Sequence, residues 1–168
     1  MERTYEKIPA EIRWKIAAQA ADYFPYEYDE KFRVISAGRC DGEINEAESE
    51  IWKEAGKKQR IIADELNFRL EDSYDVAMAY TAIASSILGP ETEIELIKES
   101  GDCTRITTNS CPMLRIAIEK GTDTQRTEKL CMDYSKAAVN SLNPDYRIDF
   151  NRNMCNGDIS CEIVIRKR

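Results

Sequence analysis

Tyr146-Arg147-Ile148-Asp149-Phe150-Asn151-Arg152-Asn153-Met154-Cys155-Asn156-Gly157-Asp158-Ile159-Ser160-Cys161-Glu162-Ile163-Val164-Ile165 is the stretch that decides the fold. Tyr146, Ile148, Phe150 and Met154 share one parity. Ile159, Cys161, Ile163 and Ile165 share one on the returning side. Alternation of this kind is the mark of a half-buried strand. Asn156-Gly157-Asp158 supplies the turn between them. Whether Asn-Gly or Gly-Asp is central, the two apolar sets fall on the same face. The spacing predicts an antiparallel hairpin with one face on a core.

A second hairpin lies upstream. Ile94 and Leu96 alternate with Glu93 and Glu95, Ser100-Gly101-Asp102 is turn chemistry, and Cys103 to Thr108 is rich in β-formers. Two helices separate the hairpins. Pro112 occupies the favoured first position of one, and Gly121 ends it. The other runs from about Gln125 to Leu142, with Thr127, Cys131, Tyr134, Ala138 and Leu142 on one face, and Asn143-Pro144 breaks it.

The first half reads as helical. Ile8, Ile12, Ile16, Ala20 and Phe24 form one face of a helix that Pro25 closes. Tyr26 to Arg39 reads as irregular or a short helix. Ile44, Ala47, Ile51, Ala55, Lys58, Ile62 and Leu66 step by threes and fours, which predicts one amphipathic helix with that stripe on the core. A helix from about Asp72 to Leu88 is apolar almost all round, as a central buried helix is. Gly89-Pro90 stops it. The reading is a single α+β domain over residues 1–168. It has a helical half, 1–90, and a sheet-containing, cysteine-rich half, 91–168. In the second half an antiparallel sheet of two hairpins is separated by a helical pair, and the helices pack on the sheet.

Composition narrows the function. The 168 residues are 42% hydrophobic and 33% charged, an ordinary globular balance. The net charge of −7 and the lack of a basic run argue against nucleic acid and anionic membrane as partners. No apolar stretch has the length of a membrane span. Met1 to Lys7 has no apolar signal core, so a cytoplasmic location is expected and with it reduced cysteines. The chain has no histidine, which excludes Ser-His-Asp and Cys-His machinery and every zinc site that needs His. Gly-rich phosphate loops, a dinucleotide fingerprint and Cys-x-x-Cys are missing too.

Six cysteines remain. Cys40 stands alone. Cys161 sits between Ile159 and Ile163 on a strand face, and Cys131 lies on an apolar helix face, as buried structural thiols do. Cys111 precedes Pro112 at a helix start, where free N–H groups lower a thiol's pKa. Cys155 lies at the hairpin tip, on the parity opposite to Cys161, so the two are not expected to meet. Buried thiols and a shared metal site both remain open. For a metal, zinc is the first choice and an iron–sulfur cluster the second.

Three stretches carry a family resemblance. They are Thr108-Asn109-Ser110-Cys111-Pro112-Met113; Leu130-Cys131-Met132-Asp133-Tyr134 with Ser141-Leu142-Asn143-Pro144; and Asn153 to Glu162. Over about Gly42 to Lys167 the chain resembles the L-2-amino-thiazoline-4-carboxylic acid hydrolase-like family, related in pattern to the 4-vinyl-reductase-like domains. The resemblance implies a small-molecule pocket between sheet and helices. It also implies a cysteine site at Cys111, Cys131, Cys155 and Cys161 that holds metal. Two functions follow from it. One is a hydrolase that opens a small sulfur-containing heterocycle. The other is a non-catalytic ligand-binding or sensing module with a structural metal site. No catalytic residue is assigned. The expected partner is a small-molecule ligand, and a homodimer is compatible with this reading.

Overall fold

A computed structural model describes residues 7–168. The segment read above as lacking a signal core lies, up to residue 6, outside the described residues.

The C-terminal hairpin forms as its alternation predicts. β3 (Tyr146–Arg152) and β4 (Cys161–Lys167) pair antiparallel, with Ile148 opposite Ile165 and Phe150 opposite Ile163. Their connection is longer than a tight turn. It contains a 3₁₀ turn over Met154–Asn156, closed by Gly157 at φ 94°. Ile159, read above as a core residue, therefore lies outside the strand and is 97% exposed.

β1 (Glu93–Ser100) and β2 (Cys103–Ser110) make the other hairpin, and β2 also pairs with β4. The sheet is antiparallel with the order β1-β2-β4-β3. One face carries Ile106, Ile148, Ile163 and Ile165 into the core. The other carries ion pairs such as Arg105 with Glu99 at 2.8 Å and Arg166 with Asp149 at 2.6 Å.

Helices cover the apolar face. α4 (Ser73–Leu88) is central, as its all-round apolar sequence predicts, and contributes Val76, Ala77, Tyr80 and Ile83 to the core. Asp72 caps it, accepting from the N–H groups of Tyr74 and Asp75 at 2.9 Å. The pair between the hairpins is α5 (Pro112–Lys120) and α6 (Thr124–Leu142). α6 presents Thr127, Ala138 and Leu142 inward, as its spacing predicts.

The N-terminal helices depart from expectation. α1 (Ala10–Ser36) passes straight through Pro25. The missing N–H and the ring clash cost about 3 kcal/mol in an isolated helix. Contacts beyond the proline offset this. The Tyr26 hydroxyl donates to Met113 O at 3.1 Å, and Asp29 pairs with Arg126 at 2.6 Å. The stretch read as a single helix is two, α2 (Asp41–Lys57) and α3 (Gln59–Glu65), separated at Lys58.

The predicted stripes face outward over most of their length; in the second, Ile62 packs against the core as expected. Ile12, Ile16, Phe24, Ile51 and Leu66 are exposed, whereas Ala18, Asp22, Asp29, Ser49, Gly56, Gln59 and Ala63 are buried. The reason is close approach. A Cβ on Gly56 would lie 2.3 Å from the backbone oxygen of Tyr134, so the backbones of α2 and α6 meet at a distance only small side chains permit. No helix among the described residues is long and apolar enough to cross a membrane.

Candidate functional site

Pro25 has no N–H to give to the carbonyl of Ala21, so α1 lacks one regular hydrogen bond in its middle. There α1, α2, α4, α5 and α6 surround a largely apolar cavity of about 90 Å³. Its aromatic wall is Tyr26, Trp52, Tyr80 and Tyr134, with Trp52 edge-on to Tyr134 at a centroid distance of 6.1 Å. Ala21, Pro25 and Trp52 also border an open groove of about 540 Å³ between α1 and α2, which leads from the surface to the cavity's edge.

The hydroxyls of this wall are committed to protein partners. Tyr26 donates to Met113 O. Tyr134 accepts from Gln59 Nε2 at 2.7 Å. Ser135 donates to Cys131 O at 2.7 Å, which leaves Tyr80 as the donor in its 2.7 Å contact with Ser135 Oγ.

Asp22 is the exception. It lines the cavity, is 8% exposed, and makes no hydrogen bond or ion pair among the described residues. Burial is the main cause that pushes its carboxyl up to about 7. Arg115 opposes that shift and Glu91 adds to it. Near neutral pH the group is divided between acid and carboxylate.

The cysteine site adjoins the cavity through Cys131, which is a wall residue. Burial pushes the Cys131 thiol up to about 12, and Cys111, Cys161 and Cys155 add to the shift. Burial also pushes Cys155 up to about 12, with Cys111 and Cys161 contributing. The four thiols thus lie within electrostatic reach of one another.

Cys111 caps the start of α5, and the N–H groups of Leu114 and Met113 favour its thiolate, as the helix start predicts. Burial outweighs them, however, and the thiol is raised rather than lowered. The parity argument about Cys155 and Cys161 does not apply to the turn as it forms. The 3₁₀ turn interrupts the strand alternation on which it relied, and Cys161 adds to the upward shift of the Cys155 thiol. Burial raises Cys161 as well, while its sulfur accepts from Met154 N–H at 3.3 Å. Among the described residues, no group of three or more Cys, Asp or Glu side chains is drawn close enough to hold a metal ion.

Two supports escaped the sequence reading. Glu128 of α6 accepts from the side-chain amides of Asn153 and Asn156, at 2.7 and 2.9 Å, and pins the loop that carries Cys155. Asp22 lies one helical turn beyond Ala18, on the small-residue side of α1. An acid on that side was the available signal.

No known family profile matches the sequence, and no curated protein is similar to it. Solved structures share the fold. A trafficking protein particle complex subunit 3 from Naegleria fowleri, covalently bound to palmitic acid, superposes with a TM-score of 0.53 at 10% identity, covering 94% of this chain and 96% of that one. The phenol-responsive sensory domain of the transcription activator PoxR, with phenol, gives 0.58 at 9% identity, covering 90% of this chain and 74% of that one. At such identities the likeness concerns the fold alone.

Proposed function

We propose that this chain is a small-molecule-binding module, not a catalyst, and that its ligand occupies the cavity among α1, α2, α4 and α6. The observation that carries this reading is the cavity itself. It is largely apolar, walled by rings, and includes an acid, Asp22, that makes no hydrogen bond or ion pair among the described residues, the pattern of a ligand site. Two proteins of this fold hold small organic molecules, palmitic acid and phenol, which supports it.

The hydrolase reading has less support. The cavity's thiol, on Cys131, has its pKa pushed up to about 12, so it is protonated at neutral pH and a poor nucleophile. Binding needs no such group.

The second part of the proposal is a structural metal site at Cys111, Cys131, Cys155 and Cys161, with zinc the preferred ion. Thiolate is the donor class that zinc takes, although among the described residues no three of these side chains approach closely enough to hold an ion, so binding requires them to draw together. The four half-buried thiols include three that neighbouring cysteines push further up, Cys111, Cys131 and Cys155, and a divalent cation in place of their protons relieves that repulsion. Such an ion would tie α5, α6 and the β3–β4 loop together. A metal with four thiolate ligands has no open position and serves the fold.

Trp52 reports on the cavity directly. In a Trp14→Phe background it is the remaining tryptophan. Titration with benzyl alcohol or benzylamine is expected to change its fluorescence saturably. Ala84→Leu, which fills the cavity from α4, is expected to abolish the response while the protein stays folded. A response from neither compound would refute the binding reading. Metal analysis of protein purified without chelators tests the second part. One equivalent, lost in Cys155→Ser, is expected; a metal-free protein of full thermal stability would refute it.

A further inference from the structure

The cavity wall contains an acid, Asp22, that as a residue is more than nine-tenths buried; its carboxyl oxygens keep some contact with solvent and make no hydrogen bond or ion pair among the described residues. Leaving such a group unpaired is unfavourable, and a folded chain ordinarily supplies a counter-ion or a donor. Here the cation whose field reaches Asp22 is Arg115, and it is already engaged with Glu91 at 3.2 Å and Glu119 at 3.3 Å. No Lys or Arg side chain lines the cavity.

The remaining wall is aromatic. Tyr26 and Tyr80 give their hydroxyl protons to protein groups and Tyr134 accepts from Gln59, so what this wall offers a ligand is chiefly ring surface, that of Trp52 included. Ring faces attract cations, most strongly when water is excluded.

We infer that the ligand is a compact organic cation, an amine or ammonium group on a small apolar body, with Asp22 as its counter-ion and the four aromatic rings as its cage. This rests on the reading of the cavity as a ligand site and adds the charge of the ligand. A neutral molecule of the same shape leaves Asp22 unpaired. An anion meets a carboxyl and no cation. The selectivity belongs to Asp22, and the shape of the cavity alone does not produce it.

Calorimetry with three compounds of one shape tests it: benzylamine, benzyl alcohol and benzoate, on the full chain at pH 8. Benzylamine is expected to bind at least tenfold more tightly than benzyl alcohol, and benzoate more weakly than either. Asp22→Asn is expected to erase the preference for the amine while benzyl alcohol still binds. Trp52→Leu gives a second reading that does not depend on Asp22→Asn folding well, and it is expected to narrow the amine-to-alcohol ratio. If benzyl alcohol or benzoate binds as well as benzylamine, the inference is overturned and the ligand site stands. A preference for the amine that survives Asp22→Asn overturns the inference in the same way. If none of the three binds, both are overturned.

Discussion

Helices α4 and α6 bury the apolar faces that their sequences present, whereas α1 and α2 turn theirs outward. In the sheet half, Ile106, Ile163, Ile165, Val76 and Leu142 meet in one cluster. In the N-terminal pair, Phe24, Tyr28, Phe32, Ile44 and Ile51 line an open groove. Outside the cavity, where Tyr26 and Trp52 reach the other helices, the contact of α1 and α2 with the rest of the molecule is made largely by small and polar groups. Ser49 Oγ donates to Asp133 at 2.6 Å, Arg126 Nε donates to Glu48 at 2.9 Å, and Gly56 lies against α6. Burial there follows fit and hydrogen bonding. Large apolar side chains are excluded from a seam this close and are left along the groove.

The largest effect is expected at the seam. Gly56→Val places carbon against the backbone of Tyr134, and a loss of about 4 kcal/mol or outright failure to fold should appear in denaturant titration. A loss below about 1 kcal/mol would mean that α2 shifts freely and that the seam is not close-packed.

In the sheet half, Ile165→Ala should cost about 3 kcal/mol, because Ile165 is fully buried and the cavity left behind cannot close. The midpoint of urea unfolding reads this directly.

Asp22 distinguishes the cavity from both regions. Burial holds its carboxyl near 7 against an ordinary value of 3.8. Between those values the folded chain keeps a proton that the unfolded chain has released. Folding stability therefore falls as pH rises across that window and stays lower above it. Asp22→Asn should stabilise the protein by about 2 kcal/mol at pH 8 and change little at pH 4. Melting temperatures of the two proteins from pH 4 to 8 check both the sign and the window.

Ser49→Ala should cost about 1 kcal/mol, since Asp133 loses one hydrogen bond and keeps Lys129 at 2.8 Å. Ile51→Ala should change stability by less than about 0.5 kcal/mol, because Ile51 is 66% exposed. The contrast with Ile165→Ala isolates the comparison: the same chemical change, at a position the stripe assigns to the core and at one that is in the core. Equal losses would show that the groove is covered in solution.

Part of the candidate site was legible. The resemblance implied a site at Cys111, Cys131, Cys155 and Cys161, and these thiols do influence one another's protonation, although no three of them approach closely enough among the described residues to hold an ion. The raised Cys111 thiol was not legible, because helix-start chemistry is local and burial is not. Nor was Asp22, an acid in a helix that ordinarily would face water.

By itself the sequence determined the order of helices and strands, the caps at Asp72 and Gly121, the alternation that pairs Ile148 with Ile165, and the central place of α4. Each of these depends on neighbours a few residues apart: side-chain period, turn chemistry, and backbone donors at helix ends. The tertiary structure alone decided that α1 continues through Pro25, which faces of α1 and α2 are covered, and that Asp22 lies in a cavity. Those outcomes depend on the distance between backbones far apart in the chain. Periodicity reports how apolar a helix face is; the shape and hydrogen-bonding groups of the surface opposite decide which face fits.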